Sequence, residues 1–242
     1  MDSGMYQAAI AMNRGMRAQE IFADNLAHAS VPGFRRRVIV ETAFETELGL
    51  AFDRYGARGG AASVIDFQPG FLEKTDNRLD VGLDGPGFLA VVGEAGETLY
   101  TRSGALSTGA DGSLRSRDGF PVLGEGGRPL FLNPDGEAPT IRPDGEIVQG
   151  ETPVGRLRLV EFDAPYPLEA AGTAYWRTTA GAIPRDAGST SVRQGFREQS
   201  NVDPTKELVE MMSVFRNFES AQKALTTIDS SIQRLLQASS GN

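Results

Sequence analysis

The chain has 242 residues, of which 40% are hydrophobic and 23% charged, a globular balance that excludes a disordered chain and allows one large domain or two small ones. A formal charge of −8 and a pI near 4.8 argue against a nucleic-acid surface; the acidity reads as solubility. With no cysteine there are no disulfides and no Cys-based metal sites or nucleophiles. No run approaches the ~18 apolar residues of a membrane span. The opening MDSGMYQAAIAMNRG lacks a basic segment leading into an apolar core, so no cleaved secretory signal is expected.

Residues 3–29 read as a helix. Ser3 can cap it, and Met5, Ala9, Met12, Met16, Ala23 and Leu26 follow a 4–3 alternation with Gln19 as the single polar break. Phe22 widens the stripe, and Pro32-Gly33 ends the segment. Arg35, Arg36 and Arg37 then form the densest basic run of an acidic chain. Such a triplet is most often a solvated face; a phosphate or peptidoglycan contact is the other reading.

Residues 39–78 carry little pattern: VIVETAFETEL fits strand or helix, and ARGGAAS is a flexible link. Turn signals recur further on, at Gly85-Pro86-Gly87, Asp111-Gly112, Asp118-Gly119, Gly126-Gly127, Asp135-Gly136 and Asp144-Gly145. Between them lie short runs such as FLAVV (88–92) and RLRLVEF (156–162). Residues 79–196 are therefore expected to form an all-β region of short strands, with Trp176 in its core or on a sheet face.

The last stretch is the most regular. Asp203 before Pro204 marks a helix start. Met211, Val214, Phe218, Ala221, Leu225, Ile228, Ile232 and Leu235 then follow steps of three and four without a polar break. A helix from Pro204 to about Gln237 is roughly 50 Å long at ~1.5 Å per residue. Burying its stripe represents a gross drive of ~10–20 kcal/mol. That seam needs a partner. Spacing alone does not choose between the first helix of the same chain and helices of other chains.

No catalytic constellation is marked. His28, the only histidine, sits at a helix end with no nucleophile elbow nearby, and a capping role fits it better. Gly85-Pro86-Gly87 with Ala90 meets a relaxed dinucleotide pattern, but FLAVV reads as a strand where that site needs a helix. The Asp-Gly pairs lack calcium-loop spacing. No metal and no cofactor is expected, and enzymatic activity has no positive support.

Three motifs in order resemble the flagellar rod and hook family of axial proteins. DNLAHASVPGF (24–34) resembles the family's Asn-Asn-Leu-Ala segment followed by Gly-Phe. LDVGLDGPGFLAVV, YTRSGAL and DGSLRSRDGFPVLG resemble its β core. QGFREQSNVDPTKELVEMM (194–212) resembles its Gly-x-x-Glu-x-Ser-Asn-Val segment, with Gly195, Glu198, Ser200, Asn201 and Val202 in those places. The chain departs from the pattern at Asp24 and His28, where Asn is usual, and at Pro32 in place of Thr, which puts a particular hydrogen bond there in doubt. Within the family, the opening MDSGMYQAA and the short link between Phe34 and Gln68 look most like the proximal-rod members. Distal-rod members usually carry a longer insertion after the first Gly-Phe.

The resemblance implies a structural subunit of the basal-body rod, passing torque from the motor to the hook across the periplasm. It implies an α+β chain: long N- and C-terminal helices packing as a coiled-coil-like core, with the all-β region between them. The expected division is 1–36, axial helix; 37–78, linker or arm; 79–196, β region; and 197–242, axial helix. Expected partners are copies of the chain, other rod proteins, and the type III export apparatus, with no nucleic acid and no membrane insertion. The expected assembly interface comprises Met5, Ala9, Met12, Met16, Phe22 and Leu26, the Asn201-Val202 entry, and the stripe from Met211 to Leu235. A Phe followed four residues later by an apolar residue is the family's export pattern; Phe34 and Val38 fit it, as do Phe44 and Leu48. A distal-rod protein is the near alternative. A carbohydrate-binding or peptidoglycan-processing β module and a cytoplasmic coiled-coil adaptor are the readings from other classes.

Overall fold

The structure, a computed structural model, describes residues 2–40, 62–179 and 182–240. Phe44 and Leu48 lie outside the described residues. Two helices and seventeen strands are present among those described. The chain divides into a helical unit, Met1–Ala27, Arg36–Asp66 and Val202–Asn242, and a β unit, His28–Arg35 and Phe67–Asn201.

This overturns the expected α+β fold with a coiled-coil-like helical core. The chain is mostly β, with one helix near each end, and the buried apolar cluster from Val81 to Val192 lies wholly within the β unit. The physical reason is geometric. The strands of the β unit enclose side chains on every side: Leu89, Val91, Leu114 and Val122 are fully buried. Two helices side by side cover only one stripe each. Met211, Val214, Phe218, Ala221, Leu225, Ile228 and Ile232 all stay half-buried. A heptad pattern reports a helix that meets a neighbour, not that the meeting is the molecule's core.

In the helical unit, α1 spans Asp2–Ala27 and α2 spans Pro204–Ser240. Asp203 caps α2, its Oδ1 accepting the N–H groups of Thr205 at 2.9 Å and Lys206 at 3.2 Å. The helices run antiparallel. Gly4 lies beside Ile228, Gly15 beside Val214 and Phe218, and Asn25 beside Glu207. The row of α1 that includes these three also carries Ala8, Ala18 and Phe22, which are buried. It lies one position away from Met5, Ala9 and Met16, all of which are exposed. Small residues explain the offset. Glycine and alanine admit the large α2 side chains at close range, so the closest-packed row of α1 has the weaker hydrophobic signal. A two-stranded antiparallel ribbon, Arg37–Val40 against Ala62–Ile65, completes the unit.

In the β unit, a six-stranded antiparallel sheet runs in the order Leu168–Ala170, Tyr175–Thr178, Thr98–Thr101, Phe88–Val92, Leu159–Glu161, Arg185–Asp186. Thr152–Arg156, Glu146–Gln149 and Pro139–Ile141 form a three-stranded sheet, and the unit has three further strand pairs. Trp176 belongs to an aromatic cluster with Phe67 and Phe88, at 5.6 and 5.7 Å between centroids in edge-on contacts. The Asp-Gly pairs make the turns. At Asp111-Gly112 the glycine takes φ +80°, and the aspartate accepts from the Ser113 hydroxyl at 2.6 Å, which holds its carboxyl down at about 2.

Candidate functional site

The two terminal motifs fold into two buried charge clusters, one in each unit. In the β unit the centre is Glu198. It ends the strand Phe196–Glu198, which pairs with Leu72–Lys74 in the register Glu198↔Leu72. Its side chain is fully buried and takes donors on both oxygens. Oε1 accepts from Arg35 Nη2 at 2.5 Å and from the Gly70 backbone N–H at 2.9 Å. Oε2 accepts from Arg102 Nε at 2.9 Å.

Arg102 Nη2 also lies 2.8 Å from Glu198 Oε2, and both terminal nitrogens donate to carbonyls. Nη1 donates to Gly85 O at 2.7 Å and to Gly87 O, and Nη2 donates to Leu83 O at 3.1 Å. The Gly85-Pro86-Gly87 turn is therefore a receptor for an arginine and not a phosphate cradle. Burial lowers the Arg102 pKa and Arg35 adds to the effect, while Glu198 opposes both. Arg35 and Arg102 are 3% and 2% exposed, so the cluster is a buried Arg–Glu–Arg set. Removing its one anion strands two cations.

The N-terminal Gly-Phe reaches the same cluster. Gly33 donates its N–H to the Glu198 carbonyl at 2.9 Å. It adopts φ +73°, and a Cβ there would lie 2.4 Å from the Ser103 nitrogen, so only glycine fits. His28 stacks on Phe34, ring centroids 5.0 Å apart. Asn201 donates to the Gln68 carbonyl at 3.0 Å.

In the helical unit the centre is Glu207, in the first turn of α2 and also fully buried. Asn25 Nδ2 donates to its Oε2 at 3.0 Å, and Arg36 Nε donates to its Oε1. Asn25 does more than pair with the carboxylate. Its Oδ1 accepts the Arg37 N–H at 2.9 Å and its Nδ2 donates to the Arg37 carbonyl at 2.9 Å, as a neighbouring strand would. One amide thus ties the end of α1, the entry to the ribbon and the start of α2. Replacing Asn25 with Asp keeps the shape but removes the donor and sets a second carboxylate against Glu207. A loss of ~2 kcal/mol or more is expected in urea unfolding. Unchanged stability would show that this amide does not hold the unit.

The arginine triplet is now accounted for. Arg35 pairs with Glu198, Arg36 with Glu207, and Arg37 with Asp24 at 3.3 Å on the surface. Each has a carboxylate partner inside the chain. Sequence reasoning missed Arg102 and Glu207 as partners; these pairings span 96 and 171 residues, and only the excess of arginines beside acidic motifs hinted at them.

The expected interface residues fall into two groups. Phe22 is buried, Leu26 is half-buried, and the α2 stripe from Met211 to Ile232 is half-buried along the side that meets α1. Met5, Ala9 and Met16 are exposed and Met12 is half-buried. On α2, a second set points away from the seam: Leu208, Val209, Met212 and Phe215 are 46–62% exposed. Asn201 is half-buried and Val202 is buried. Phe34 is buried and Val38 is half-buried. Among the described residues no group of three or more His, Asp or Glu is placed to hold a metal, and no helix is long and apolar enough to cross a membrane.

Each unit thus holds an interlocked set of buried charges, and the helix pair carries a second, exposed apolar set on α2. Comparison with known proteins gives the family. The model for the flagellar hook protein FlgE/F/G D1 domain matches residues 82–149, and that for the flagellar basal body rod FlgEFG protein C-terminal region matches 193–238. The flagellar basal-body rod protein FlgF of Salmonella typhimurium is 33% identical over 95% of each chain, and that of Escherichia coli K12 is 32% identical over 98% of each. The flagellar basal-body rod protein FlgG of Buchnera aphidicola (subsp. Schizaphis graminum) is 32% identical over 92% of this chain and 96% of its own. The chain belongs to the flagellar basal-body rod protein family.

Proposed function

We propose that the chain is a structural, non-catalytic subunit of the flagellar basal-body rod, occupying its proximal part and passing torque through subunit contacts. The observation that carries this reading is the outward apolar stripe on a helix pair that is already closed on itself. An isolated soluble chain has no use for Leu208, Met212 and Phe215 in water, whereas a chain packed among copies of itself and other rod proteins buries them. The open geometry of a tube suits such a surface, since a patch on one subunit meets a different patch on the next. The short link between Phe34 and Gln68 supports the proximal position over the distal one.

In this reading, residues 1–36 and 197–242 carry assembly and 79–196 form the β region. Met5, Ala9, Met12 and Met16 contribute an outer face of α1. Phe22, Leu26, the α2 stripe through Ile232 and the Asn201-Val202 entry set the shape of the pair; the Leu235 side chain lies outside the described residues. Phe34 and Val38 serve as the export signal for the type III apparatus. Phe34 is buried once folded, so it is legible only in an unfolded chain, as export before folding requires.

The test is complementation of a strain that lacks its own copy. The native chain restores swarming and co-purifies with basal bodies. Phe218→Asp and Leu225→Asp each abolish motility by placing a charge on the α1–α2 seam, while the near-UV signal of Trp176 stays native. Normal swarming by both variants would sink the proposal.

A further inference from the structure

Four consecutive residues outside any helix or strand, Pro32–Arg35, are buried. They lie in the β unit, yet the apolar cluster from Val81 to Val192 is built without them. They form a strap held on by specific bonds. Gly33 donates its N–H to the Glu198 carbonyl at 2.9 Å, and Arg35 pairs with the Glu198 carboxylate. The same unit grips the C-terminal motif just beyond. Gln199 donates its N–H to the Phe71 carbonyl at 3.0 Å, and Asn201 donates to the Gln68 carbonyl at 3.0 Å.

The use of the strap lies in what the chain does on either side of it. Asn25, near the end of α1, and Glu207, in the first turn of α2, meet in the helical unit although 182 residues separate them in sequence. With the strap seated, the route from Asn25 through Arg35 and Glu198 to Glu207 is about 20 residues, and the closure probability of a flexible loop falls as the 3/2 power of its length. With the strap lifted, the shortest route passes through Gln68 and Asn201, about 50 residues, and pairing falls roughly 4-fold. With the β unit unfolded the whole 182 residues intervene, and the fall is roughly 30-fold. The helix pair is sensitive to such factors because its α2 seam is only half-buried.

We propose that the Pro32–Arg35 strap is a tether that makes the pairing of α1 and α2 conditional on a folded β unit. Leu208, Val209, Met212 and Phe215 lie in the first turns of α2, so a chain presents them on a paired helix once its β unit has closed the strap. The strap acts in the single chain, whether or not that chain joins a rod.

The test is amide hydrogen exchange on the full chain, native and Gly33→Val. A Cβ at this position lies 2.4 Å from the Ser103 nitrogen and 2.7 Å from the Arg102 carbonyl carbon. These are backbone atoms, and φ is +73°, so valine lifts the strap. Residue 33 should lose its protection, and the core from Val81 to Val192 should keep its own. The α2 amides from Val214 to Ile228 should lose protection roughly 4-fold. Arg35→Met keeps the glycine and loosens the strap less, so its factor should be smaller. In the oxidised Gly15→Cys, Phe218→Cys background the disulfide closes the loop itself, and Gly33→Val should no longer change α2 protection. Unchanged α2 protection with the strap released, an equal loss in the cross-linked chain, or a loss that spreads to the β core overturns the proposal.

Discussion

Replacing Glu198 with alanine is expected to cost ~3–5 kcal/mol. The substitution leaves Arg35 and Arg102 buried side by side with no anion between them, and it removes the acceptor of the Gly70 N–H. For a chain of this size that is a fall of roughly 6–20 °C in melting temperature. Two controls show whether burial is the cause. Asp163→Ala removes the partner of Arg185 in an exposed pair and should cost ~0–1 kcal/mol. Arg35→Met should cost less than Glu198→Ala. Arg35 uses Nη2 alone, Nε and Nη1 having no partner, and its loss leaves Arg102 and Glu198 balanced. If Glu198→Ala is no worse than Asp163→Ala, the cluster is not what holds the terminal motif in place.

The second large effect concerns assembly and not stability. Met212 and Phe215 are 60% and 49% exposed on the face of α2 turned away from α1. The double substitution Met212→Asp, Phe215→Asp should leave the unfolding free energy within ~0.5 kcal/mol of native, as surface changes do. It should nonetheless abolish incorporation into basal bodies, because two carboxylates in a buried contact each cost several kcal/mol. A variant that melts early would mean that the face is already covered within the chain. One that is incorporated normally would mean that it faces solvent in the rod as well.

The seam substitutions Phe218→Asp and Leu225→Asp differ from this pair in kind. They act on the α1–α2 contact, so they are expected to loosen the helical unit itself. Comparing the two sets separates loss of a part's shape from loss of its contact surface.

How much of this was legible in the sequence varied with how local the cause is. The start of α2 was, since Asp203-Pro204 is a signal read within one turn. So was the row of α2 that meets α1, because its members are large and apolar at unbroken spacing. The row of α1 was harder: Met5, Ala9 and Met16 have the right period, but Gly4, Ala8 and Gly15 make the contact, and a glycine registers as a gap in hydrophobicity. The helical core was misjudged because periodicity carries no measure of how completely a stripe is enclosed. Gly195, Glu198 and Gly33 could be singled out as motif positions, but their job could not. Arg35 meets Glu198 across 163 residues and Arg36 meets Glu207 across 171, and no local pattern encodes a pairing of that reach.

The central claim is that the two terminal helices pair within one chain, leaving the outer stripe for assembly. Cysteine cross-linking tests it directly, since the chain has no cysteine of its own. A Cβ at position 15 lies 3.6 Å from the Phe218 Cβ, within the ~3.5–4.5 Å that a disulfide needs. In the Gly15→Cys, Phe218→Cys variant, oxidised at low concentration, the bond should form within the monomer and change its mobility on a non-reducing gel. Cross-linked dimers alone, or no cross-link at all, would contradict the intrachain pair.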